Sequence, residues 1–156
     1  MDSLISIAYL YREAINNFGH VEILRNSPNI KMYTIDDIKV GFVNYSYPWI
    51  SEALLYDSIK LAQVEDIAAM KVSAITGRGT KKDFVDLYFL LQHFTLGEIF
   101  QFYWKKYSDA SEYLALKSLS YFDDVEEDAS PVMLETVKWE DIKKRIREEV
   151  IRYAQV

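Results

Sequence analysis

Apolar residues recur at helical spacing at both ends of the chain. In residues 3 to 18 they fall on one face of a helix that ends before Gly19, a residue suited to a C-terminal cap. The same period returns from Val64 onward. Turn residues and capping residues divide that second stretch, and the pattern predicts further helices over residues 80 to 92, 96 to 107, 111 to 119 and 139 to 153.

The intervening residues, 21 to 62, follow a different pattern. Three short runs, HVEIL, IKMYTI and IKVGFVNY, are rich in β-branched and aromatic residues. The turn-forming sequences Asn26-Ser27-Pro28-Asn29 and Asp36-Asp37 separate them, so we expect two or three antiparallel strands. Beyond Pro48, EALLYDSIKLA is as typical of a short hairpin as of an extended segment leading to the next helix.

These patterns predict an α+β fold, in which an opening helix and a small antiparallel or mixed sheet are followed by a helical bundle. The chain has 156 residues, half of them hydrophobic, which is a typical size for one domain with its own core. We therefore expect a single domain over residues 1 to 156. Its helix-and-sheet part would extend to residue 62, and its helical part would begin at residue 63.

Composition excludes several classes of protein. The chain has no cysteine, which rules out disulfide and thiolate-zinc frameworks and favours the cytoplasm. Its net charge of -6 argues against a generally basic nucleic-acid surface, although a local basic patch remains open. No apolar run reaches the roughly 18 residues that span a bilayer, so we expect neither a signal peptide nor a membrane segment.

One lysine lies where the helical pattern predicts a buried stripe. In the helix after Val64, the spacing places Ile67, Met70, Ala74 and Ile75 on one apolar face, and Lys71 falls within that face. A buried ammonium is costly unless a carboxylate pairs with it. The sequence therefore predicts an acidic partner for Lys71.

The next helix provides two candidate partners, Asp83 and Asp86, which lie one turn apart. One interpretation is a structural ion pair between Lys71 and one of these acids. The other is an open cleft in which Lys71 binds a phosphate while an acid holds the lysine or a metal ion. Between the two helices, the amides and side chain of Gly77-Arg78-Gly79 could also meet an anion.

Other candidate sites are weaker. His20 and His93 have neither metal-ligand spacing nor a nucleophile partner. The acidic stretch from residue 122 to 131 lacks the central glycine and the final acid of a calcium-binding loop. We interpret that stretch as a solvated loop.

The block that contains Lys71, DIAAMKVSAITGRGTKKDFVDLYFLL, resembles the central block of the AbiEii-type nucleotidyltransferase toxin family. This family is the toxin half of abortive-infection and type IV toxin-antitoxin pairs. The segments IKVGFVNYSYP and LSYFDDVEEDASPVML, followed by Trp139, are also similar to it, so the resemblance covers about residues 35 to 150. It implies a nucleotidyltransferase-like fold with a nucleoside triphosphate and magnesium between the sheet and the helices.

The resemblance also implies roles for particular residues. Lys71 matches the lysine that contacts the triphosphate, Asp86 matches the downstream catalytic acid, and Asp83 lies beside it. Arg78 is a further candidate for nucleotide binding on the separate ground that its turn could bind an anion, although such a Gly-Arg-Gly turn more often only joins two helices. Complete relatives would transfer a nucleotide to RNA or another acceptor, tRNA among the candidates, and a cognate antitoxin would be a partner.

The sequence departs from the family pattern at its metal site. The family builds that site on a Gly-Gly or Gly-Ser turn followed by Asp-x-Asp, and neither motif occurs in residues 1 to 156. Gly41 occupies a position where relatives often carry another acid. The expectation is a catalytically incomplete family member with a residual nucleotide-binding cleft and no metal ligands of its own.

Two functional hypotheses therefore stay open. The first is a nucleotidyltransferase-family toxin that retains nucleotide binding, and the alternative is a non-enzymatic interaction module or regulatory remnant. Whether the chain itself is an enzyme stays open with them. If the sheet lacks a neighbouring strand, its open edge also predicts a homodimer formed through that edge.

Overall fold

The computed structural model describes the backbone of residues 7 to 155 and the side chains of residues 12 to 155. Its fold is α+β, as the sequence predicts, with a small antiparallel sheet and several helices. The chain divides into two compact units, Met1–Ser46 and Tyr47–Val156. The single domain expected from chain length stays a prediction. None of the described helices is both long and apolar enough to cross a lipid bilayer.

In the part that the structure describes, the first unit contains one helix and a three-stranded antiparallel sheet in the order β1-β2-β3. Its elements are α1 (Ile7–Asn17), β1 (Val21–Asn26), β2 (Ile30–Ile35) and β3 (Ile38–Val43). These strands coincide with the three β-rich runs of the sequence. Asp36 and Asp37 join β2 to β3 with φ angles of 46° and 66°, the left-handed conformation that two-residue hairpin turns require.

The sheet has two outer strands, β1 and β3. Within the described residues no further strand pairs with either of them. A bulge between Ile23 and Arg25 interrupts the pairing of β1 with β2. The open edges meet the condition on which the expected homodimer depends, and the homodimer itself stays a prediction.

The second unit begins with a short hairpin and continues as a helical bundle. The hairpin strands are β4 (Leu54–Tyr56) and β5 (Ile59–Leu61), so the ambiguous segment after Pro48 is a hairpin. The helices are α2 (Val64–Gly77), α3 (Lys81–Leu90), α4 (Leu96–Lys106), α5 (Glu112–Leu119) and α6 (Trp139–Ala154). Helix α2 packs against α3, α4 and α5, and α6 contacts the same three helices.

The buried face of α2 differs from the predicted stripe. Its buried apolar residues are Ala68, Ala69, Val72 and Ile75. Ile67, which the sequence pattern placed in the core, is 38% exposed. The buried face is turned away from Ile67 because α2 contacts three neighbouring helices, which cover its small residues. Lys71 consequently lies at the border of the core, with a quarter of its side chain exposed.

The acidic stretch from residue 122 to 131 is not the solvated loop that its charges suggested. Phe122 and Val125 are almost completely buried, and residues Asp123–Val125 form one turn of 3-10 helix. The Phe122 ring lies 5.0 Å from that of Phe84 and 5.9 Å from that of Trp139. Two apolar side chains therefore anchor a segment whose other residues are mostly charged.

Candidate functional site

Lys71 is paired with both of the acids that the sequence singled out. Its Nζ lies 2.5 Å from Asp86 Oδ2 and 3.2 Å from Asp83 Oδ1. This confirms the predicted ion pairing between α2 and α3. The two carboxylates differ in environment, because the Asp83 side chain is 3% exposed and that of Asp86 is 46% exposed.

Asp83 is held in place by the start of α3. Thr80 precedes the helix in an extended conformation, and its hydroxyl donates to Asp83 Oδ2 at 2.5 Å. The Thr80 amide donates to the same oxygen at 3.2 Å. This capping arrangement occupies Oδ2, so that Oδ1 is directed at Lys71. The start of the helix thereby fixes one of the two partners of Lys71.

Hydrogen bonds and neighbouring charges shift the pKa values of Lys71 and Asp83 in opposite directions. Partial burial by itself lowers the pKa of Lys71, but the hydrogen bonds and charges of Asp86 and Asp83 raise it by more, so the net shift is upward. Burial raises the pKa of Asp83, and the hydrogen bonds from Thr80 and Lys71 outweigh it, so the net shift is downward. Lys71 and Asp83 thus each favour the charged form of the other.

Arg78, the other predicted nucleotide-binding residue, does not join this cluster. It is exposed and caps the C-terminus of α2, two helical turns beyond Lys71. It lines a separate polar cleft of about 170 Å³ together with Tyr121 and Asp124. The structure therefore brings together Lys71, Asp83 and Asp86, while the role of Arg78 stays a prediction.

A second cleft begins at Asp86 and was not predicted from the sequence. Lys82, Val85 and Phe89 of α3 form one side of it, and the segment from residue 131 to 135 forms the other. Its volume is about 310 Å³. The sequence gives one local indication of this cleft, which is that Lys82, Val85, Asp86 and Phe89 are spaced along one face of a helix. The opposite wall is a loop whose sequence has no periodicity, so its position could not be predicted.

The acids of the cluster do not fit a magnesium site by themselves. Both contact the Lys71 ammonium, and the second oxygen of Asp83 is bound to Thr80. Magnesium requires near-octahedral oxygen coordination, which a cation already placed between the carboxylates obstructs. Among the residues that the structure describes, no group of three or more His, Cys, Asp or Glu side chains could hold a metal ion. The arrangement of these acids suits an ammonium and not a magnesium ion.

A deeper ion pair, which the sequence did not reveal, lies near the start of α2. Asp66 Oδ1 accepts from Lys106 Nζ at 2.6 Å, and the Asp66 carboxylate also accepts from the amides of Ile50 at 3.0 Å and Ser51 at 3.3 Å. Lys106 donates a further hydrogen bond of 2.8 Å to the carbonyl of Pro48. The pair fixes residues 48 to 51 to α2 and α4, and it lies one and a half helical turns before Lys71.

Comparisons with known proteins agree with the resemblance read from the sequence. A family model described as "Nucleotidyl transferase AbiEii toxin, Type IV TA system" matches residues 15 to 154. A curated relative, the uncharacterized protein aq_aa25 of Aquifex aeolicus (strain VF5), is 33% identical over 149 residues, which cover 90% of this chain and 69% of the relative. No solved structure shows significant similarity to the chain. Because the family model spans nearly all of its residues, the chain belongs to the AbiEii nucleotidyl transferase toxin family.

Proposed function

We propose that this chain is a toxin-like protein of a toxin-antitoxin pair, that it is located in the cytoplasm, and that it binds a nucleoside triphosphate, with Lys71 contacting the phosphates. The observation that carries the proposal is the asymmetry of the lysine's two partners. Asp83 is buried and held by Thr80, whereas Asp86 is nearly half exposed. A cation with one fixed and one exposed partner is suited to exchanging the exposed partner for a ligand.

The exchange is electrostatically reasonable. A phosphate oxygen that reaches Lys71 would replace the Asp86 carboxylate, which can turn toward water because exposed ion pairs contribute little net stability. Asp83 would remain and keep the ammonium in position. Lys82, exposed one turn before Asp86 on α3, adds a positive charge beside the same cleft. Family membership favours this role over a purely structural ion pair.

The proposal separates binding from transfer. Nucleotide transfer to an RNA acceptor such as tRNA needs a metal to neutralise the phosphates and align the attacking oxygen. The chain has no Asp-x-Asp sequence, and its acidic cluster already holds an ammonium. We therefore propose that residues 1 to 156 bind the nucleotide without transferring it, and that a cognate antitoxin is a partner of the chain.

Calorimetric titration with ATP, GTP, CTP, UTP and inorganic tripolyphosphate tests the binding proposal. Lys71→Ala should weaken binding of every triphosphate by about 10- to 100-fold, because a charge-assisted hydrogen bond contributes about 1.5–3 kcal/mol. Lys144→Ala, which removes an exposed lysine of α6, is the matched control and should leave affinity unchanged. Thermal unfolding of each variant separates loss of binding from loss of fold.

The direction in which Asp86→Asn changes triphosphate affinity distinguishes two roles for Asp86. If Asp86 competes with the phosphate for Lys71, its neutralisation should increase triphosphate affinity in the absence of magnesium. If Asp86 instead binds a metal that carries the phosphates, the same variant should weaken binding in the presence of magnesium. Absence of any triphosphate binding would contradict the proposal, and efficient incorporation of labelled nucleotide into tRNA by this chain would contradict its binding-only part.

A second candidate function, a non-enzymatic interaction module, is favoured by the β4–β5 hairpin. Cross-strand pairing places Leu54, Tyr56, Ile59 and Leu61 on one face of it, and each is at least 41% exposed. An isolated two-stranded hairpin is only marginally stable in water, and contiguous exposed apolar residues mark interaction sites. The uncharged face suits an equally apolar partner, and a second copy of this chain provides one.

Sedimentation velocity distinguishes the two candidates. The interaction module requires a dimer that Tyr56→Ser converts to a monomer, whereas Tyr113→Ser, at an exposed tyrosine of α5, should leave it intact. A monomer at all concentrations, combined with triphosphate binding that depends on Lys71, would leave the first proposal alone standing.

A further inference from the structure

The cleft beside Asp86 has the composition of a small-molecule site. Val85 is buried, Phe89 is half-buried, and the opposite wall is formed by residues 131 to 135 with Met133 packed against the core. Charged groups line it at Lys82, Asp86 and Glu135. Ligand sites are typically apolar clefts with a few polar groups that orient the ligand, and about 310 Å³ reaches the lower end of their usual volumes.

The cleft and the Lys71 cluster share one residue, Asp86. Asp86 lines the cleft, and its Oδ2 contacts Lys71 Nζ at 2.5 Å. A ligand that displaced this carboxylate from Lys71 would therefore extend directly into the apolar space beside it. Such a ligand needs an anionic end for Lys71 and a flat, largely apolar end for the cleft.

We propose that this cleft binds the base of the nucleotide whose phosphates contact Lys71, with Phe89 as the aromatic surface on which the base packs. The inference rests on the proposed function. The Phe89 ring is supported by an edge contact with the ring of Tyr88, at 5.3 Å between centroids. A supported ring suits base stacking, which tolerates any of the four bases.

Three further features of the cleft suit a nucleoside with its phosphates. Val132 and Leu134, on the loop that forms the opposite wall, are wholly exposed in the free chain, so a base entering the cleft would give them an apolar partner. Lys82 lines the cleft one turn before Asp86 on α3, where its ammonium can neutralise the phosphate that follows the sugar. The acceptors on Asp86 and Glu135 can meet the amino or hydroxyl groups of a nucleoside.

The experiment compares a ligand that has a base with one that lacks it. ATP, GTP, CTP, UTP and inorganic tripolyphosphate are titrated calorimetrically against the wild-type chain, Phe89→Ala, Phe89→Leu and Phe94→Ala. Phe94 is the matched control, because it is a half-buried phenylalanine that contacts Phe102 outside the cleft. Phe89→Leu keeps an apolar side chain but removes the aromatic face.

Phe89→Ala should lower nucleotide affinity by about tenfold or more, as loss of base stacking does, and should leave tripolyphosphate affinity unchanged. Phe89→Leu should give an intermediate loss, and Phe94→Ala should bind like the wild-type chain. Equal losses for nucleotide and tripolyphosphate, or no loss for either, would overturn the base assignment while the phosphate site stands.

The same titrations separate this inference from the proposed function. If tripolyphosphate binds and Lys71→Ala weakens its binding by about 10- to 100-fold, the phosphate site holds, and the Phe89 variants decide the base site. If no triphosphate binds in a Lys71-dependent manner, both fail. A nucleotide whose binding depends on Phe89 but not on Lys71 would contradict the proposal that one nucleotide occupies both sites. The cleft would then recognise the base without the phosphates contacting Lys71.

Discussion

Asp66 and Lys106 form a fully buried ion pair, with 2.6 Å between Asp66 Oδ1 and Lys106 Nζ. Desolvating two charges is costly, and the pair persists because the groups around it complete the hydrogen bonding of both. The carboxylate accepts from two backbone amides, and the ammonium donates to the carbonyl of Pro48 and lies 4.8 Å from the centre of the Trp49 ring. Each charge is therefore acceptable in the core only while the other is present.

Lys106→Met should destabilise the chain by about 3–5 kcal/mol, because it leaves Asp66 as an unpaired buried charge. Urea unfolding at pH 7 measures this. Lys105→Met is the matched control, since Lys105 is exposed and makes only a 3.3 Å contact with the carbonyl of Ile50. That control should stay within about 1 kcal/mol of the wild-type chain. Equal effects of the two substitutions would show that burial of the ion pair does not determine how much it contributes to the free energy of unfolding.

The stability of the chain should fall in acid through the same pair. Burial raises the pKa of Asp66, but the hydrogen bonds from Lys106 and from the amides of Ile50 and Ser51 lower it by more, so folding lowers the pKa. A carboxyl with a lowered pKa contributes stability above its unfolded value, about 3.9, and that contribution is lost as the pH falls through the folded value.

The free energy of unfolding should therefore change little between pH 7 and 5 on account of Asp66, and should fall below about pH 4. Asp66→Asn should be less stable than the wild-type chain at pH 7, and the difference should shrink as the pH approaches 3. Urea titrations of both proteins across this range measure the effect. A constant difference at every pH would show that Asp66 does not titrate differently on folding.

Two glycines near the end of α2 should respond oppositely to alanine. Gly79 has a φ of 40°, and a Cβ on it would lie 3.2 Å from the carbonyl oxygen of Ile75. Gly79→Ala should therefore destabilise the chain by about 1–2 kcal/mol. Gly77 is the last residue of the helix and has open space where a Cβ would be. Gly77→Ala should be neutral or stabilising by up to about 1 kcal/mol. Thermal unfolding of the pair checks the contrast, and the reverse order would contradict it.

The sequence predicted the elements whose signals are local. Strand β2 follows from IKMYTI between two turns, and Asp36-Asp37 forms the left-handed turn that such residues favour. Threonine is a residue type that favours the N-cap position, and Thr80 precedes α3. The pairing of Lys71 with the acids of α3 was also predictable, because a short turn joins the two helices and a buried ammonium needs a partner.

What the sequence did not predict depends on contacts between distant residues. Asp66 and Lys106 are 40 positions apart, and neither is part of a local pattern. The acidic residues around Phe122 and Val125 led to the prediction of a solvated loop, although these two side chains are buried and anchor the segment. The cleft at Phe89 needs a wall from the loop after Pro131, whose path no periodicity describes. In each case the missing information is which surfaces the folded bundle brings together.

The hydrogen bonds from Thr80 to Asp83 affect how mutants of this chain can be interpreted in a growth assay. Asp83 both completes the first turn of α3 and steers Lys71. A substitution of Asp83 that abolished toxicity would therefore disturb the start of α3 and the position of Lys71 at the same time. The growth phenotype would not show which of the two effects is responsible. Asp86, exposed and bonded to no backbone group of α3 among the hydrogen bonds described, offers the more informative position for genetics.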